Sequence, residues 1–219
     1  MNNSRRFQCS SIILLFAIAG SLPAIDEKLN IRANSQRTRF AKGKEYTLMS
    51  GDVTIRSGST EISADEIEAT GEQYRYMFCR GNVRLYDPER GVRIECEELF
   101  YDRELEITRI DGYSEMQDLT NNVVVKGGFF EYLGKEELVM IQIGVRILKV
   151  TEDTEITCRA EFALYQRDVE LLELTGVPRV TQNEDEYTAA RIVINLDTDE
   201  ITLEGGVRGT IVDSGENGT

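Results

Sequence analysis

Three acidic groups have the spacing of catalytic or metal-binding carboxylates: Asp65-Glu66 with Glu68, Glu95 with Glu97-Glu98, and Asp197 with Asp199-Glu200. A close carboxylate pair can share a proton for general acid-base work, and a larger set can wrap a calcium ion. Here each group falls on the alternate, outward positions of a strand pattern or in a turn, where carboxylates are solvated. Nothing specifies the sugar-sized cleft across which a glycosidase holds its pair. Histidine is absent from the whole sequence, which removes histidine triads, histidine bases and nearly every zinc-ligand set. No cofactor and no metal is expected, and the chain is expected not to be an enzyme.

The cysteines and the basic residues each leave two readings. Cys79, Cys96 and Cys158 follow the N-terminal segment that holds Cys9, and no CxxC occurs. Cys79 and Cys96, on what would be adjacent strands, are open to a disulfide in an oxidising compartment. They are equally open to burial as small hydrophobes, since both sit on the inward parity. Arg32, Arg37, Arg39, Lys42 and Lys44 contrast with an acidic remainder. They suit the steering of lipid phosphates or an acidic partner, and also a plain solvated end.

The elements that must position these residues are set by a repeat. Glycines recur at Gly51, Gly81, Gly112, Gly144, Gly176 and Gly205, at intervals of 29 to 32 residues. Several open the same short pattern, as in Gly51-Asp52-Val53 and Gly81-Asn82-Val83. Two positions before them stand Met49, Cys79, Ile110, Gln142, Leu174 and Leu203. Earlier in each unit a small residue follows an apolar one by two, as in Ile31/Ala33, Ile62/Ala64, Ile94/Cys96, Val125/Gly127, Cys158/Ala160 and Tyr187/Ala189. Three residues beyond the small one, Ile67, Leu99, Phe130, Ala163 and Ile192 continue an apolar row, which Gln36 breaks in the first unit. Period-two alternation of β-branched and aromatic residues, with turn signals at Asp87-Pro88 and Gly71-Glu72, makes these segments strands.

An all-β chain of about six 30-residue units follows, with two or three strands per unit and roughly 14 to 18 short antiparallel strands in all. One unit cannot bury its own apolar face, whereas a stack makes a continuous seam whose terminal edges stay unpaired.

Residues 1–24 have the layout of a secretory signal peptide. Arg5 and Arg6 precede an apolar run from Ile12 to Ala19, and Ala24 closes the segment. That run is far short of the roughly 20 residues of a spanning helix, so cleavage near Ala24 is expected, retention as a membrane anchor being the alternative. Loss of Arg5 and Arg6 takes the formal charge from −14 to −16. Such a surface repels phosphate backbones and anionic membrane faces, which argues against nucleic-acid binding and against lying flat on anionic lipid. A single domain over 25–212 and a polar, disordered tail at 213–219 complete the reading.

The apolar-x-Ala landmark followed by Gly-x-Val, repeated over residues 29 to 211, resembles the OstA-like, LptA-type family of lipopolysaccharide-export proteins. The resemblance implies a twisted, V-shaped β-jellyroll open along one side, located in the periplasm. Its interior would carry acyl chains of lipopolysaccharide or a related glycolipid between inner and outer membranes. It also implies partners among inner- and outer-membrane export components, and head-to-tail self-association through terminal strands. Ile31, Ile62, Ile67, Ile94, Leu99, Val125, Phe130 and Ile192 are the residues expected to line that groove, or else to pack against a facing sheet. The alternatives to a lipid bridge are an exported structural or adhesive β-repeat scaffold with a closed interior, and a membrane-anchored member of the same family.

Overall fold

The computed structural model describes residues 30–212 except 90, 121, 152, 153, 197 and 199. The signal-peptide segment and the 213–219 tail lie outside the described residues. Sixteen strands form one sheet, and every pairing in it is antiparallel. They are β1 (Asn30–Arg32), β2 (Ser35–Arg39), β3 (Tyr46–Ser57), β4 (Thr60–Thr70), β5 (Tyr76–Asp87), β6 (Val92–Asp102), β7 (Ile107–Asp118) and β8 (Val123–Leu133). There follow β9 (Leu138–Val150), β10 (Glu155–Gln166), β11 (Leu171–Thr175), β12 (Arg179–Gln182), β13 (Asp185–Thr188), β14 (Arg191–Asn195), β15 (Glu200–Glu204) and β16 (Arg208–Thr210). A 3-10 turn at Glu72–Tyr74 links β4 to β5.

The central strands β3–β10 are 11 to 13 residues long, about twice the usual length. Each behaves as two short strands because it is bent near its middle. The bend is where the repeat glycine falls on β3, β5, β7 and β9, and beside the small residues Ala64, Cys96, Gly127 and Ala160 on β4, β6, β8 and β10. In β5, Gly81 (φ 73°) and Asn82 (φ 49°) are both left-handed, and the register with β6 shifts between Arg80 and Val83. A Cβ on Gly81 would come within 2.4 Å of an Asp65 carboxylate oxygen, so the position takes only glycine. Equivalent shifts occur at Ser50/Val53, Asp111/Ser114 and Ala160/Phe162. A bulge bends its strand and strengthens the local twist. Bulges aligned on neighbouring strands therefore crease the whole sheet along one line.

The crease divides the sheet into two arms. The first runs β2, the first half of β3, then alternating halves to β10, and on through β11, β14 and β15; the second begins at β1 and leaves β10 through β12, β13 and β16. The fork is explicit on β10, whose residues 162–166 pair with β11 and whose residues 156–159 pair with β12. Apolar side chains of both arms belong to one buried cluster. With no α-helix among the described residues to cover them, they are buried because each arm covers the other, in the manner of a jellyroll.

Short acidic turns close the hairpins. Buried Asp102 accepts from Arg75 Nη2 at 2.7 Å and from the backbone N–H of Glu104 (3.0 Å) and Leu105 (3.1 Å). Asp87 likewise accepts from Ser59, Thr60 and the Glu89 amide.

Candidate binding groove

Cross-strand register lines up the inward apolar residues into two rows, one on each arm. On the first arm the row starts at Gln36 opposite Met49 and passes through Ile67, Leu99, Phe130 and Ile192 to Leu203. On the second arm it runs from Ile31 through Ile62, Ile94, Val125 and Cys158 to Tyr187. The eight groove residues expected from the sequence thus divide four and four between the facing arms. The small residue that separates the two landmarks in each unit sits at the crease, where the strand changes which of its residues face inward.

The rows are not equally covered. Ile62, Ile67, Ile94, Leu99, Val125, Phe130 and Ile192 are 0–4% exposed, whereas Ile31 is 48% exposed. At the N-terminal end the arms part around a cavity of about 420 Å³, within the roughly 300–1,000 Å³ of small-molecule sites. Ile31, Ile55 and Ile62 line it from the second arm, and Met49, Ile67 and Met77 from the first. Its polar wall is thin: Gln36, Thr38 and Thr47 on one side, Arg103 at the tip. Such a surface offers chiefly dispersion contact, with the charge of Arg103 confined to the tip, which suits an alkyl chain. Ile94, Leu99, Val125, Phe130 and Ile192 do not line this cavity.

Around the mouth, Arg37 and Arg39 alternate along β2 with inward Gln36 and Thr38, and all five basic residues of this region are exposed. Arg75 bridges Asp102 and Glu104 at the tip of the first arm. Burial works to raise the Asp102 pKa, but the Arg75 hydrogen bond and the Leu105 and Glu104 amides outweigh it and hold the carboxyl below its ordinary range.

Cys79, Cys96 and Cys158 are all buried, and Cys79 and Cys96 are free. Cys79 lies opposite Leu99 and Cys96 opposite Val83 on the paired strands β5 and β6, so the two are not cross-strand partners, and both thiols are free. Burial pushes both thiols up to about 12, and they pack as small hydrophobes. The acidic groups hold no site either. Glu66 and Glu68 pair with Arg80 at 3.1 and 3.2 Å, and Asp65 accepts from Asn82. Among the described residues no cluster of acidic or thiol side chains could hold a metal ion; Asp197 and Asp199 lie outside them.

The two rows, their crease and the repeated unit can be set beside known proteins. Residues 30–200 match the family described as LptA/(LptD N-terminal domain) LPS transport protein. The chain belongs to that family. A structural comparison with a member of the same transport system gives the crystal structure of LptH, described as the LptA homologous periplasmic component of the conserved lipopolysaccharide transport device from Pseudomonas aeruginosa. The likeness covers 85% of this chain and 96% of that one at 10% identity, with a TM-score of 0.27. No curated protein matches the chain.

For this member of the lipopolysaccharide transport family, the repeat placed the rows but not every cavity residue. Phe40, Tyr74 and Arg103 belong to turns, where no period exists to find them. Gln142 stands two residues before its glycine like the other row residues, yet it faces outward opposite Phe129 and Phe162, and Ile141 takes the row position. The reason is local: in this unit the left-handed pair is Ile143-Gly144, one residue earlier than elsewhere.

Proposed function

We propose that the protein is a non-enzymatic periplasmic bridge that takes up acyl chains of lipopolysaccharide, or of a related glycolipid, between its two arms. The observation that carries this reading is the apolar cavity at the parted end of two continuous apolar rows. An acyl chain entering there gains about 0.8 kcal/mol per buried CH₂, so a chain of modest length offsets its own ordering. Arg37, Arg39 and their neighbours at the mouth suit lipid phosphates that remain in water. Export by a signal peptide cleaved near Ala24 puts the chain where such cargo travels. The short unpaired edges β1 and β2 at one end, and β15 and β16 at the other, suit strand addition by a second copy or by membrane-bound export components.

The groove residues fall into a mouth group, Ile31, Ile62 and Ile67, and a further group, Ile94, Leu99, Val125, Phe130 and Ile192, reached when the arms separate. A closed structural scaffold is the second reading, and the burial of that further group favours it. Photo-crosslinking residues at Ile31, Ile62, Leu99 and Phe130, with outward Glu95 as control, decide between them in periplasmically expressed protein. Lipid adducts at the mouth and then along the row are expected. Adducts at no inward site establish the closed scaffold.

A further inference from the structure

The outer face of the second arm carries an arrangement that the groove does not use. Arg146 on β9, Arg159 on β10 and Arg179 on β12 are directly opposed cross-strand neighbours, and Arg208 on β16 follows across Thr188. Like charges in such pairs repel at close range. Arg179 is relieved by Glu186 at 2.8 Å, whereas Arg146 and Arg159 take part in no ion pair among the described residues and are exposed. In a chain whose formal charge is −14, a row of arginines of which only Arg179 is paired among the described residues marks a local potential opposite to that of the molecule. Glu161 at the crease accepts from the Gly144 amide at 3.4 Å.

Beside this row, the crease projects apolar residues into solvent. Ile143 is 66% exposed and Val177 87% exposed, and both are left-handed, with φ of 66° and 59°. β-Branched residues rarely adopt that conformation. The first two units place Asp52 and Asn82 at the corresponding bends, residue types that tolerate it. Strained, exposed hydrophobes maintained against both backbone and solvation preference point to a surface that meets a partner.

We propose that this face docks on the surface of an anionic phospholipid bilayer, with Ile143 and Val177 entering the interface and Arg146, Arg159, Arg179 and Arg208 meeting lipid phosphates. The pairing of exposed aliphatics with arginines is the composition of an interfacial anchor. A free phosphate or an acidic peptide would use the arginines alone. The acidic remainder does not forbid the contact, because charges farther than the Debye length of roughly 8 Å at physiological salt are screened.

The test is co-sedimentation of the full mature chain with vesicles of phosphatidylcholine alone or containing phosphatidylglycerol. Binding is expected only with phosphatidylglycerol, and it should fall steeply with added salt. Arg146→Glu with Arg159→Glu should weaken it at least tenfold. Ile143→Asn with Val177→Asn should weaken it several-fold with the arginines intact, and should not lower the melting temperature, because asparagine suits a left-handed bend. Absence of binding to anionic vesicles, or indifference to both double variants, overturns the proposal. So does loss of binding to polyglutamate competition with no effect of the asparagine pair, which would assign the face to an acidic protein segment.

Discussion

The two ends of the groove are built from the same rows and finish alike in largely exposed edge strands, β1 and β2 against β15 and β16, but differ in what lies just inside them. At the N-terminal end Ile31 is half exposed, Phe40 is 84% exposed, and a cavity separates the arms. At the C-terminal end Leu172, Leu174, Ile192, Ile194 and Leu196 are fully buried. The difference lies in what closes each fork. One arm ends at β1 with three residues and the other at β2 with five, all but one of the eight exposed. After β10, six strands continue the arms and keep apolar residues opposite one another. A repeated apolar landmark therefore specifies that a residue faces inward, and the neighbouring strands decide whether anything meets it there.

The sharpest way to break this contrast is to cut a side chain at each end. Leu174→Ala should cost about 2–5 kcal/mol in denaturant unfolding, because the surroundings cannot collapse onto the void. Met49→Ala, already facing the cavity, should cost markedly less. Equal losses would mean that the mouth is as tightly packed as the far end.

Next in size is Asp102→Asn, which removes a buried carboxylate from Arg75 and two amides beside the cavity. A loss of about 1.5–3 kcal/mol at pH 7 is expected for charge-assisted hydrogen bonds of this kind. The folded pKa of Asp102 is depressed, so its contribution is complete above the unfolded value of about 4 and disappears as pH falls through the folded value. Glu115, held down first by its hydrogen bond to Lys126, and Glu173, held down first by Arg191, act in the same sense. Melting temperature followed from pH 7 to 3 should fall less steeply in the variant; parallel curves would show that Asp102 is not coupled to folding.

A smaller change in stability, about 1 kcal/mol or less in either direction, is expected for Ala69→Leu. Its larger consequence is functional, since the added methyl groups occupy the cavity and should abolish lipid adducts at Ile62. Adducts persisting there at wild-type yield would show that the acyl path does not use this mouth.

The least visible effect concerns the closed centre. With thiols pushed up to about 12, the thiolate fraction at pH 8 is on the order of one in ten thousand. Cys79 and Cys96 should resist alkylation in the folded protein and react on unfolding. Rapid labelling in the native state would show that the central rows open spontaneously, and would erase the distinction between mouth and centre.

Much of this architecture was legible in the sequence because glycine at a bulge and an apolar residue on a row have no easy substitutes. Gly81 sits against Asp65, and Ile67, Leu99, Phe130 and Ile192 recur at one register position. What could not be read depends on pairing between distant segments. Cys79 and Cys96 look like cross-strand partners until the register sets them opposite Leu99 and Val83. Gln142 looks like a row residue until the bulge moves one position. The arginine row is invisible along the chain, since Arg146, Arg159, Arg179 and Arg208 have no common spacing and meet only through the register of four strands.

The crease also makes the protein a ruler. Each repeat contributes one hairpin, and each hairpin adds two strands to both arms at once. With neighbouring strands about 4.8 Å apart, inserting or deleting a unit changes the length of the channel by about 10 Å and leaves its cross-section and its two ends unaltered. The twelve segments in each arm correspond to a span of about 50 Å on the same spacing, so the reach of the molecule is written in the number of its glycines.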